Sequence, residues 1–200
     1  MNFIIISIIF AGIISLKLKH ENNQENHAER DFWEREAKAN YTRKKSLDSL
    51  DYITIPDEIL FMSPENMTDA LRSDLDDLKS LSAYKIVNLT GLSNTDLKLQ
   101  YGTANITILS EYDFHYTNLV TLLQRLAEKL CESGNDALAI RTLEFAVTTG
   151  TDVGKSYYLL AELYTKYNTP EKIDGLIRNA QNLHSLSKST IVQKLQAGGQ

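Results

Sequence analysis

Leu123 to Leu186 reads LQRLAEKLCESGNDALAIRTLEFAVTTGTDVGKSYYLLAELYTKYNTPEKIDGLIRNAQNLHSL, one helical pattern written twice. Adding 34 to Leu123, Leu126, Ala127, Leu130, Gly134, Ala139, Leu143 and Ala146 lands on Tyr157, Leu160, Ala161, Tyr164, Asn168, Ile173, Ile177 and Ala180. Seven of these eight pairs stay apolar or small, so the two copies present the same faces. The eighth, Gly134 and Asn168, falls where a turn is needed, and both residue types tolerate the left-handed backbone that ends a helix. Ala127 and Ala161 let a first helix approach its partner closely, and Ala139, Ala146 and Ala180 do so from the second. Burying a Leu or Ile contributes roughly 1.5 to 3 kcal/mol. One hairpin therefore barely offsets its ordering entropy and must stack on neighbours. A helix carrying Met67 to Leu81 on one side and a closing helix over Ser187 to Leu195 on the other are the partners available. Pro170 suits the first turn of the last hairpin helix.

A register of this length resembles the tetratricopeptide repeat, a helix-turn-helix hairpin of about 34 residues. The expected fold class is all-α, a helical-hairpin array. The chain departs from the family's pattern where Leu143 and Ile177 replace a large aromatic, where Thr151 and Ser185 replace the final proline, and in having two repeats. What the resemblance implies is binding rather than chemistry. The inner helix of each hairpin lines a concave groove in that family, and the register puts Gln124, Glu128 and Glu132, then Tyr158, Glu162 and Lys166, on that face. Such a groove is mixed and rather acidic, without the basic cluster that grips a terminal carboxylate. It suits a basic or amphipathic protein segment, unless the chain's own N-terminal helix covers it with Trp33 as a plug.

Composition narrows the classes. The chain has a net charge of −5, and its lysines and arginines are scattered among acids, which argues against a nucleic-acid partner. Its single cysteine, Cys131, rules out an intrachain disulfide and falls among the apolar residues of the first repeat helix. A small, partly buried side chain is the simpler reading than a reactive thiol.

Residues 3–16 read FIIISIIFAGIISL, and with Met1, Asn2 and Leu18 they reach roughly 17 residues, the short edge of what spans a bilayer. No basic residue precedes this run and no small-x-small cleavage site follows it, so residues 1–19 are expected to be one transmembrane anchor, with 3–18 in the bilayer. Lys17 and Lys19 place the remainder in the cytoplasm. Asn40, Asn66, Asn88 and Asn105 each begin a glycosylation triplet, which a chain rich in Asn, Ile and Lys makes by chance. Residues 20–27, HENNQENH, read as a solvated tether in which His20 and His27 have no scaffold for a metal.

Residues 28–64 read as a juxtamembrane helix followed by an extended connector. The helix, over Ala28 to Lys45, carries the stripe Trp33, Ala37 and Tyr41, expected to dock on the helical domain in preference to the bilayer headgroups. Pro56 biases Ile55 toward extended backbone within Ser46 to Pro64. Residues 65–118 read as an irregular helical segment. A helix from Glu65 to Ser82 is expected to bury Met67, Leu71, Leu75, Leu78 and Leu81, leaving Asp74, Asp76 and Asp77 on a solvated face rather than in a calcium loop. Tyr84 to Asn105 then predicts two short helices, one capped at Ser93 or Asn94 and ended by Gly102. From Thr107 one long helix runs into the first repeat. On it, a surface ion pair between Glu111 and His115 is simpler than a metal site with Asp113. Residues 119–200 hold the repeats and the closing helix.

The blocks FWEREAKANYTRKKSLDSLDYITIP, KIVNLTGLSNTDLKLQYGTAN and LEFAVTTGTDVGKSYYLLAELY also resemble an uncharacterised family of small, singly membrane-anchored bacterial proteins of Firmicutes. That likeness implies a bacterial origin and an N-terminal anchor, and no activity. The expected function is a membrane-tethered adaptor or scaffold that binds protein partners. The alternatives are a structural subunit of a larger membrane-associated complex or an enzyme of unknown reaction. The last is disfavoured because no nucleophile with a base, Gly-rich phosphate loop or metal-spaced ligand set is legible, so no catalytic residue, metal or cofactor is assigned.

Overall fold

The computed structural model describes residues 27 and 29–198. The transmembrane anchor expected at 1–19 and nearly all of the tether lie outside them. Helices run in the order α1 (29–40), α2 (Asp57–Leu60), α3 (Asp69–Leu81), α4 (Asn94–Tyr101), α5 (Ile106–Glu132), α6 (Asp136–Thr148), α7 (Gly154–Lys166), α8 (Glu171–Gln181) and α9 (Lys188–Gly198). The fold is all-helical. Among the described residues the extended backbone pairs only in an isolated antiparallel bridge, Tyr52 with Val87. No described helix is long and apolar enough to cross a membrane.

The chain falls into two compact units, neither continuous in sequence. Residues 29–46 join Ser93–Ile106 in one compact unit, while Leu47–Leu92 and the chain from Thr107 onward form a second. In the first unit, α4 opens on a capping box in which Ser93 and Asp96 each satisfy the other's backbone. Glu36 of α1 pairs with Lys98 and accepts from the Thr95 hydroxyl at 2.6 Å, and Arg35 pairs with Asp96. The Thr103 hydroxyl donates to the Ala39 and Asn40 carbonyls that end α1. The buried side of α1 is thus marked by Ala39, and Trp33, Ala37 and Tyr41 stand exposed. Helices α1 and α4 are joined by charge pairs, which an apolar periodicity does not report.

In the second unit, Pro56 starts the single turn α2, which buries Ile59 and Leu60, so the connector is not extended throughout. The helix expected from Glu65 begins only at Asp69, because Asn66 takes a left-handed φ of 57° and Thr68 supplies the cap, accepting from the Leu71 N–H at 3.1 Å. Met67 is left outside the helix. Glu65 is instead clamped by the Asn135 side chain, which accepts from its N–H at 2.8 Å and donates to its carbonyl at 2.7 Å. Tyr84 to Leu92 holds no helix: Val87 makes the bridge to Tyr52, Thr90 and Gly91 form a turn, and the Ile53 N–H donates to the Ile86 carbonyl at 2.9 Å.

Asp74 is the other correction in this region. It is buried rather than solvated, with Arg125 at 2.7 Å and Lys129 at 2.7 Å from its two oxygens. Burial works against its charge, but hydrogen bonds from Arg125 and Lys129 outweigh it and hold the carboxyl below its ordinary range. A carboxylate with a depressed folded value contributes stability above the unfolded value, near 3.9, and loses it as pH falls through the folded one. Asp74→Asn is therefore expected to cost about 2 kcal/mol at neutral pH and little in strong acid. Denaturant melts of both chains across that pH range check this.

The chain from α5 to α8 turns by one device used three times. At the end of α5 the Asn135 N–H donates to Leu130 (2.8 Å) and the Gly134 N–H to Cys131 (3.0 Å), with Gly134 at φ 81°. At the end of α7, Thr169 donates to Tyr164 (2.8 Å) and Asn168 to Thr165 (3.2 Å), with Asn168 at φ 55°. Thr151 to Ala146 and Gly150 to Val147 repeat the pattern after α6. Each is the paired closure that satisfies a helix's last carbonyls. Helix α7 packs against α6, α8 and α9, and α8 against α6 and α9. The 34-residue spacing also reaches α9: Leu123, Tyr157 and Ile191 are all buried, as are Ala127 and Leu195.

Candidate functional site

Helix α7 buries Tyr157, Leu160, Leu163 and Tyr164. Tyr158, Ala161, Glu162 and Thr165, at i, i+3, i+4 and i+7, share an adjoining stripe. That stripe forms one wall of a cleft of about 520 Å³ whose other lining comes from Lys194, Leu195, Ala197 and Gly198 of α9 and Ile173 of α8. Leu195 and Ile173 are buried and make an apolar floor. The Lys194 ammonium lies 4.0 Å from the centroid of the Tyr158 ring, a cation held on an aromatic face at the rim. Glu162 supplies the carboxylate. The cleft falls in the size range of ligand sites, and its chemistry is recognition: an apolar side chain on the floor, with charges of both signs at the edge.

The six residues assigned to a groove divide sharply. Tyr158 and Glu162 line the cleft. Gln124 does not: it is buried, accepts from the Ser156 hydroxyl at 2.6 Å and donates to Glu128 at 3.1 Å, tying α5 to α7. Lys166 is paired with the buried Asp136, and that bond together with one from the Tyr167 hydroxyl holds the Asp136 carboxyl below its ordinary range. It fastens the end of α7 to the start of α6. Glu128 is half-buried on α5, and Glu132 is exposed there. Lys194 and Leu195 were missed, although Leu195 lies 34 residues beyond Ala161 and Lys194 as far beyond Leu160.

Other candidates resolve toward packing. Cys131 is half-buried and burial pushes its thiol up to about 11, away from thiolate chemistry. His115 is not on the surface with Glu111. Its ring is buried, donates through Nδ1 to the Lys85 carbonyl at 3.0 Å and lies against Tyr84, centroids 4.7 Å apart. Asp113 accepts from the Leu89 N–H at 3.3 Å. Among the described residues no group of three His, Cys, Asp or Glu side chains is placed to hold a metal ion.

Two of the glycosylation triplets are occupied by structure. Asn88 Nδ2 donates to the Tyr116 hydroxyl (2.9 Å) and the Thr149 carbonyl (3.0 Å), and Asn105 Nδ2 to the Lys45 and Tyr101 carbonyls. A glycan on either nitrogen would displace those bonds. No family model matches the chain, and neither a curated protein nor a solved structure matches it.

Proposed function

We propose that this chain is a membrane-tethered adaptor or scaffold of the tetratricopeptide type, with the α7 and α9 cleft as the seat of a basic or amphipathic segment of a protein partner. The observation that carries this reading is the cleft itself, an apolar floor left open between two helices related by the 34-residue spacing, with Glu162 at its edge. The three matching turns and the buried series Leu123, Tyr157 and Ile191 support the repeat architecture. The resemblance to the Firmicutes family and the apolar residues 3–18 support a bilayer tether. Lys17 and Lys19 on the C-terminal flank of the apolar run support a cytoplasmic domain.

The full chain purified from membranes, alone and as the Tyr158→Ala, Glu162→Lys double variant, tests the cleft. Anchor positions at interfaces are worth about 2 kcal/mol or more, so a partner held there should bind at least about 30-fold more weakly to the variant. Melting should fall by only about 3 to 6 °C, since Glu162 is exposed and Tyr158 is half-buried, so the array stays folded. A partner retained at equal affinity would remove the cleft from the proposal. One retained at fixed stoichiometry would favour a structural subunit.

A further inference from the structure

The aromatic face of α1 takes no part in holding this helix to α4. Trp33 is 59% and Tyr41 88% exposed, with exposed Ala37 between them, and Phe32 stands beside Trp33, ring centroids 5.3 Å apart. The residues that hold α1 to α4, Glu36 and Arg35, lie off this stripe. Two further facts say what covers it. The first is chain length: ten residues, 19–28, separate Leu18 from the helix, and at full extension they span about 33 to 36 Å. A helix tied so closely to an apolar run of bilayer length is within reach of the membrane surface. The second is charge: Lys38 near the C-terminal end of this helix and Arg43 and Lys44 just beyond it are exposed, while the exposed acids Glu29, Asp31 and Glu34 lie in its first half. Indole and phenol rings favour the boundary between headgroups and acyl chains, and clustered cations favour anionic lipid.

We infer that α1 lies in the headgroup layer of an anionic bilayer through Trp33, Ala37 and Tyr41, with Lys38, Arg43 and Lys44 against lipid phosphate. This rests on the membrane tether of the proposed function only for proximity, since an amphipathic face of this kind also binds a surface without an anchor.

Trp33 is the only tryptophan of the chain, so its emission reports this face alone. The full chain is mixed with vesicles of phosphatidylcholine, or of phosphatidylcholine with phosphatidylglycerol, floated on a gradient, and read for Trp33 quenching by lipid brominated near the headgroup end. The expected result is flotation on both vesicles, with Trp33 emission shifted to shorter wavelength and quenched from the lipid side, more strongly on the anionic mixture. In Lys38→Glu, Arg43→Glu, Lys44→Glu chains that anionic increment should vanish, each cation being worth about fivefold in surface partitioning. Flotation with Trp33 unshifted and quenched only from water would overturn the inference and leave the anchor standing. Flotation on anionic vesicles alone, with Trp33 quenched by lipid, would uphold it and overturn the anchor. No flotation on either would sink both, and an increment surviving in the triple variant would overturn the phosphate contacts.

Discussion

Gly102→Ala is expected to destabilise the first unit by about 3 kcal/mol or more, one of the two largest single-residue effects in the molecule. Gly102 ends α4 at φ 89°, ψ 146°, a region open essentially to glycine alone. A Cβ there would stand 2.2 Å from the Arg43 carbonyl oxygen and 2.6 Å from its carbon. Neither backbone atom can swing aside, because the Lys45 N–H donates to Tyr101 at 3.0 Å and the Thr103 N–H to Thr42 at 3.3 Å across the same junction. Gly134→Ala is the matched control. Its φ is 81°, yet nothing lies within 4 Å of the added carbon, so it should cost only the strain, about 1 to 2 kcal/mol. Hydrogen exchange of the amides of α4 and of the α5–α6 turn measures the two losses separately. Equal costs would show that the Arg43 backbone is not packed against Gly102.

Tyr157→Ala is the second, with about 4 kcal/mol expected from a cavity at the centre of the helical array. Tyr157 is fully buried, and its hydroxyl donates to the Thr151 carbonyl at 3.0 Å. Burial pushes the phenol up to about 12, so it remains a donor at every physiological pH. Tyr157→Phe keeps the ring and removes that one bond, and should cost about 1 kcal/mol. Urea titration of both variants separates packing from hydrogen bonding. A Tyr157→Ala loss near that of Tyr157→Phe would mean that α7 is not wedged between its neighbours.

Much of the helical layout was legible because its signals are local. Gly134 and Asn168 marked two turns from residue type alone, and both adopt positive φ. Ser93 and Gly102 bracket α4, and α5 runs unbroken from Ile106 into the repeat. Other positions misled for a common reason. Asp74, Gln124 and Lys166 all sit at helix positions where polar residues normally face water, yet each meets a partner from another element: Arg125, Ser156 and Asp136. His115 likewise turned inward to a carbonyl 30 residues away. Periodicity counts apolar side chains and says nothing about which polar ones find distant mates.

The sequence by itself determined that the second half of this chain is helical, where its turns fall and which residues recur at a spacing of 34, since helix propensity and left-handed turn residues act over a few neighbours. Only the tertiary structure decided which polar side chains are consumed holding helices together and which remain open beside Tyr158 and Lys194. It also decided that residues 29–46 belong with Ser93–Ile106. Those outcomes depend on hydrogen bonds and charge pairs between residues some thirty to sixty apart, such as Gln124 with Ser156 and Glu36 with Lys98. Such bonds form only after the chain has brought their partners together.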